Sequence, residues 1–312
     1  MNDKKHSDKY SVKEFVKKFG FDNCVLELLN FIEKDNKTIK DIIINKYLEK
    51  PIPEAQEEEL FNYFINNSVF SAATAANPAT SVVTEFLYTK PKQISFIDNY
   101  FLKSQGGDAI YSRFKHVEKN IHQLIEGHSK KGKILIGNFG GGPSRDISNI
   151  FSKHYYDNNN ILAINIDKDK TAIKRGQRIA KILNVEDKIK FLETSFMRYK
   201  PKEKFDIIIL VGVLCGLPSE SCVMVLKKIY KCLKENGCVI ASNATPKMLE
   251  KDPFTYFIMD KITNWKLVFK KEETLKEIFK KSGFNWERSF TDDYGFHCMG
   301  IGKKNKSFFN MF

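Results

Sequence analysis

The sequence predicts an α/β protein: a parallel sheet covered by helices on both faces, preceded by a helical N-terminal region. Three observations carry the prediction. From Lys133 onward, apolar runs of strand length alternate with amphipathic segments of helix length. The first of these runs, KILIGNFGGGPSRDI over 133–147, holds Ile134, Leu135 and Ile136 without polar alternation, the pattern of a strand buried on both faces. It then breaks into Gly140, Gly141 and Gly142 and continues as a helix-like stretch, which reads as strand, tight turn and helix N-terminus. From Ser11 to about His128, by contrast, the periodicity is helical.

Composition sets the outer bounds. A chain of 312 residues is long enough for about two domains. No apolar run reaches 18 residues, so no membrane span is expected, and the polar MNDKKHSDKY start has no secretory core. Six cysteines are scattered through apolar surroundings without a CxxC pair, which suits reduced thiols in a cytoplasmic protein and suggests no metal site. The net charge of +13 admits nucleic acid as a partner. The excess is mostly lysine spread along helix faces, however, which makes that partner the weaker expectation.

Along the chain, Ser11 can cap a helix with Val12, Phe15, Val16 and Phe19 on one face, and amphipathic segments follow at about 23–33, 37–49 and 55–67. The small, polar stretch 71–80 reads as a loop, possible as a lid and more simply a connector. After Gly106–Gly107, Asp108 is an N-cap candidate for a helix with Ile110, Phe114, Val117 and Ile121 on its stripe, leaving Tyr111 and Arg113 off centre. Beyond the glycine turn a helix is expected over about 144–153 and a turn at 155–160. The strand ILAINID then ends at Asp167, and a helix with Ile173, Ile179, Ile182 and Leu183 follows. The strands KIKFLETSF and FDIIILVGVLCGLP come next, then a helix with Val225, Ile229 and Leu233 and the strand in KENGCVIASNAT. An irregular insertion to about Thr263, a helix over 273–282 and a terminal hairpin complete the chain.

The glycine turn fits neither common phosphate pattern. No Lys-Ser or Lys-Thr follows it, and after Gly140 and Gly142 the third glycine of GxGxxG is missing. An acid at the end of the second strand, Asp167, stands where it can accept both hydroxyls of a ribose.

Together the turn and Asp167 resemble the class I S-adenosylmethionine-dependent methyltransferases, with Asn138 at the usual acidic position of motif I and Ser144 at that of its third glycine. The resemblance implies a Rossmann-like seven-stranded sheet over 129–303, parallel with an antiparallel last strand, behind an N-terminal helical or lid domain over 1–128 and ahead of a tail at 304–312. It implies S-adenosyl-L-methionine as cofactor, held by Asn138, Gly140, Gly142, Asp167, Thr194, Ser195, Val211 and Gly212. A narrower likeness, to the bacterial family for 3-hydroxypalmitic acid methyl ester biosynthesis, rests on Lys90–Pro91, the FIDNYFL block, and Asn243 followed by Trp265, Leu267 and Phe269. No Asn-Pro-Pro-Tyr or Asp-Pro-Pro-Tyr follows the fourth strand, which argues against a base amino group as acceptor.

The expected reaction is O-methylation of a small apolar acid or other small molecule. A carboxylate is already a nucleophile and needs alignment more than a base. A hydroxyl would need one, and Tyr294 and His297 are the first candidates. Tyr111 and Arg113 are candidates for reaching the acceptor, under a roof of aromatic residues from 81–125 and 244–270. The alternatives are an RNA or protein methyltransferase and a non-catalytic protein that retains the fold.

Overall fold

The computed structural model describes residues 10–76, 81–92, 94–129, 132–154 and 160–305. Eight helices come first: α1 (Val12–Phe19), α2 (Asn23–Asp35), α3 (Lys37–Tyr47), α4 (Glu54–Asn67), α5 (Val69–Ala76), α6 (Ser81–Thr89), α7 (Phe96–Lys103) and α8 (Gln105–Ser129). Then follow β1 (Ile134–Phe139), α9 (Arg145–Lys153), β2 (Ile161–Asp167), α10 (Lys170–Ile182), β3 (Ile189–Glu193) and β4 (Phe205–Leu210). The chain continues through a 3₁₀ turn (Leu214–Gly216), α11 (Ser219–Cys232), β5 (Leu233–Ala244), α12 (Lys247–Lys251), α13 (Pro253–Phe257) and a π turn (Ile258–Ile262). It closes with α14 (Glu272–Lys281), β6 (Asn285–Thr291) and β7 (His297–Lys303). No described helix is long and apolar enough to cross a membrane.

The chain forms two compact units, residues 1–108 with 249–266 and residues 109–248 with 267–312. The division expected from sequence lay at 128/129. That position is the C-terminal end of α8, whereas the units divide at 108/109 within its first turn, and the insertion after β5 belongs with the N-terminal helices.

In the helical unit, α1 starts on a full capping box: Ser11 Oγ accepts from the Glu14 backbone, and Glu14 reaches back to the Ser11 N–H. Phe21 and Tyr47 pack against Phe254, and Tyr47 also meets Phe257 edge-on at 5.1 Å. Buried Asp252 caps α13 and accepts the Gly106 N–H at 2.8 Å, while Tyr100 and Thr255 share a 2.8 Å hydrogen bond. Tyr100, Phe254 and Phe257, expected in a roof over the acceptor, are thus buried in the core of their own unit.

Three local expectations fail for identifiable reasons. Residues 69–76 form helix α5, because buried Asp98 pins its first turn by accepting from Ser68 Oγ and the N–H groups of Val69 and Phe70; 77–80 lie outside the described residues. Gly106 and Gly107 lie inside α8, and Asp108 is no cap but pairs with Lys90 at 2.9 Å. A Cβ on Gly107 would fall 1.7 Å from the Phe101 carbonyl oxygen, so that glycine permits a close approach and does not break the helix. Ile182 is 77% exposed, since the buried face of α10 runs through Ala172, Ile173, Gly176, Ile179 and Ala180. The expected turn at 155–159 and the end of the tail, 306–312, are also outside the described residues.

The sheet unit has strand order β3-β2-β1-β4-β5-β7-β6, with β7 antiparallel to both neighbours and the rest of the sheet parallel. This is the expected seven-stranded Rossmann-like sheet. Alternate residues of β1 feed opposite cores. Ile134 and Ile136 pack with Val117, Ile121 and Ile125 of α8 and Ile147, Ile150 and Phe151 of α9. Leu135 and Phe139 pack with Leu226 and Ile229 of α11 and Leu275 and Phe279 of α14. Each such side chain contributes about 1.5–3 kcal/mol by leaving water, which fixes the register and with it the ends of the strands. The order changes direction between β1 and β4, and the crevice at such a switch point is where open α/β sheets hold ligands.

Candidate cofactor and acceptor site

The glycine turn leaves β1 in the left-handed conformation at three positions: Gly140 (φ 64°), Gly142 (φ 53°) and Ser144 (φ 56°). A serine held there costs about 1–2 kcal/mol relative to glycine. Ser144 is fully buried, its N–H donates to the Gly141 carbonyl at 2.9 Å, and its hydroxyl accepts from Asn138 Nδ2 at 3.0 Å. The substitution at the third glycine therefore keeps the glycine conformation and adds a tether. Within the turn, the Gly140 N–H is taken by the Ile166 carbonyl and the Gly142 N–H by Asp167 Oδ2, both at 2.8 Å.

Asn138, at the usual acidic position of the motif, donates from its amide nitrogen to Ser144 Oγ and to Asp146 Oδ1 at 3.1 Å. Asp146, on the first turn of α9, is thus the carboxyl nearest the motif's acidic position, and sequence reasoning missed it because it lies beyond the turn. Burial raises its pKa from the ordinary 3.8 to about 6, with Glu118 adding to the rise and the Ile147 N–H and Asn138 amide opposing it. An acid with a raised folded-state pKa contributes stability that is whole below the unfolded value and lost as pH rises through the folded one. Asp146→Asn, which mimics the protonated form, should therefore stabilise the cofactor-free protein above pH 6, by about 1–2 kcal/mol after allowing for partial exposure. The gain should vanish below pH 4. Thermal melts at pH 7.5 and pH 4 check this, and an equal shift at both pH values would contradict it.

Asp167 ends β2 half-exposed, with Oδ2 on Gly142 and Oδ1 accepting the Asp169 N–H at 2.9 Å. Two oxygens with one internal donor each keep lone pairs for two ribose hydroxyls. Beside it, Asn165 Nδ2 donates to the Gly142 carbonyl at 2.8 Å, so two buried asparagines, cross-strand partners in β1 and β2, hold the turn from below. Asp167→Ala is expected to weaken binding of S-adenosylhomocysteine by about 1.5–3 kcal/mol, the scale of a hydrogen bond to a charged group. Calorimetry measures this directly; wild-type affinity would remove Asp167 from the site.

Past β3, Thr194 and Ser195 are half-buried, and the Thr194 N–H is bound to the Asp167 carbonyl at 2.8 Å. Past β4, Val211 is half-buried and Gly212 adopts φ 82° with its N–H on Ser242 Oγ at 2.9 Å. The following turn is anchored by a cation that the sequence did not reveal. Lys270 is buried, and its ammonium reaches the carbonyls of Leu214, Leu217 and Val268 and Asn243 Oδ1 at 2.7–3.2 Å. Thus the strand-end segments at 138–146, 167, 194–195 and 211–212 come together along the carboxyl edge of β3, β2, β1 and β4. Among the described residues, no group of three or more His, Cys, Asp and Glu side chains could hold a metal ion.

The four acceptor-side candidates separate. Arg113 and His297 are buried, and they lie close enough for the guanidinium to depress the imidazole's pKa. Tyr111 and Tyr294 are half-buried; Lys115 lies over the Tyr111 ring, and Tyr294 packs against Phe296. Asp292, missed by sequence reasoning, accepts from His297 Nδ1 at 3.0 Å.

A family model described as a methyltransferase domain matches residues 129–285, half of the chain. The chain belongs to this family. With the sheet order above, it is a class I S-adenosylmethionine-dependent methyltransferase. No curated protein matches the methyltransferase by sequence. Among solved structures it is similar to a possible exported protein from Bordetella parapertussis, at 13% identity and TM-score 0.69 over 86% of this chain and 95% of that one. It is also similar to magnesium protoporphyrin IX methyltransferase from Synechocystis PCC 6803 solved with S-adenosylmethionine, at 13% identity and TM-score 0.52 over 76% and 97%. At such identities the likeness is one of fold.

Proposed function

We propose that this methyltransferase methylates an oxygen, carboxyl or hydroxyl, of a small apolar acid or other small molecule. The observation that carries the reading is the link from the glycine turn to Asp167 at the β1–β4 switch point, together with a buried cluster of Arg113, His297 and Asp292 beside the end of β5. When bound, S-adenosylmethionine supplies an electrophilic methyl group on a sulfonium. Asp167 accepts from its ribose; Gly140, Gly142, Val211 and Gly212 shape the walls of its crevice; Thr194 and Ser195 face its base; Asn138 and Asp146 serve its amino-acid end. The solved relative named for magnesium protoporphyrin IX acts on a small molecule, which agrees with this reading.

Incubating the protein with methyl-labelled S-adenosylmethionine and cell extract tests it. Label is expected in the organic-extractable fraction. Label confined to RNA or protein would replace the small-molecule reading with one in which the +13 net charge recruits the substrate.

A further inference from the structure

The strand register places an acid–histidine pair at the carboxyl edge of the sheet. β7 is antiparallel, so His297 at its start faces Ala244 at the end of β5, on the edge where β1 and β2 deliver the glycine turn and Asp167. Asp292, only 3% exposed, is held by four donors: the N–H groups of Tyr294 (2.9 Å) and Phe296 (3.3 Å) on Oδ1, and the N–H and Nδ1 of His297 on Oδ2. Burial alone would raise the Asp292 pKa, but these bonds outweigh it and hold the carboxyl below its ordinary range, so it is ionised at neutral pH. A carboxylate only accepts, so Nδ1 of His297 carries the proton of the 3.0 Å bond. Burial first and the Arg113 guanidinium second hold the imidazole below its ordinary 6.5, against Asp292. His297 is therefore neutral at pH 7, with a bare lone pair on Nε2.

A carboxylate acceptor would have no use for such a base. A hydroxyl would need one, and a neutral imidazole can take the proton of a hydroxyl as that hydroxyl attacks. We propose that the methyl acceptor is a hydroxyl whose proton is taken by Nε2 of His297. Asp292 is the positioning residue that fixes the tautomer, and Arg113 is the cation near the developing oxyanion. As the oxygen–methyl bond forms, the methyl–sulfur bond breaks with its electron pair left on sulfur, and the hydroxyl proton ends on His297. The proposal rests on the methyltransferase reading above and adds the acceptor atom.

Two measurements test it. In the full-length protein, long-range ¹H–¹⁵N spectra of the imidazoles, assigned with variants lacking the other histidines, should show His297 protonated at Nδ1 and bare at Nε2 at pH 7. An Nε2–H tautomer or an imidazolium would overturn the proposal whether or not an acceptor is known. In extracts supplied with labelled donor, the organic-extractable label should survive mild alkali as a methyl ether, and His297→Gln should lower incorporation at least 100-fold. S-adenosylhomocysteine affinity should stay within twofold of wild type. Label released by alkali as methanol marks an ester and sinks the hydroxyl assignment, as does undiminished labelling by His297→Gln. Failure of the wild-type protein to bind S-adenosylhomocysteine would instead overturn the cofactor reading, which the tautomer measurement does not depend on.

Discussion

Gly141→Val is expected to lower the affinity for S-adenosylhomocysteine at least 100-fold, equivalent to about 2.7 kcal/mol, and to lower the melting temperature as well. A Cβ at Gly141 would lie 2.4 Å from Cγ and Nδ2 of Asn138 and 2.4 Å from Oδ1 of Asn165. Neither asparagine can retreat. Both are buried, they are register partners in β1 and β2, and their amides bond Ser144, Asp146 and the Gly142 carbonyl. Relief of the clash must therefore break hydrogen bonds that shape the turn, in addition to the roughly 1–3 kcal/mol usual for overpacking. Gly127→Ala is the control: it is an exposed position in α8 with nothing within 4 Å of an added Cβ, and should stabilise the protein by about 0.5–1 kcal/mol. Calorimetric affinity for Gly141→Val within threefold of wild type would show that the turn does not shape the cofactor site.

The second large effect lies in the helical unit. Asp98→Ala should destabilise that unit by about 3–5 kcal/mol, because it strands the buried Phe70 N–H, the Val69 N–H and the Ser68 hydroxyl at 1–3 kcal/mol for each unsatisfied group. Asp98 is 1% exposed and binds these donors at 3.0, 3.2 and 2.7 Å, so it joins α7 to the start of α5. Urea unfolding followed by far-ultraviolet circular dichroism should show an early loss of helix for Asp98→Ala. A shift below about 1 kcal/mol would mean that water replaces the carboxylate and that α5 is held by packing alone.

The sequence by itself determined whatever depends on neighbours a few residues apart. The stripe of α1 and its cap at Ser11, the unalternating β1, the glycine turn after it, and Asp167 at the end of β2 are all settled by local periodicity and backbone sterics, and the structure has each in its expected place. The antiparallel terminal pair was legible for the same reason. What the tertiary structure alone decided involves groups far apart in sequence. Asp98 turned a loop-like stretch about 30 residues upstream into α5. Close contact with Phe101 made Gly107 a helix residue, and Asp252, 146 positions on, took the Gly106 N–H. Lys270 anchors carbonyls more than 50 residues away, at Leu214 and Leu217. Asp292 gained its meaning only when β7 carried His297 to the end of β5. A buried polar atom must find a partner wherever the fold supplies one, so the identity of that partner is a property of the packed chain and leaves no periodic trace in the sequence.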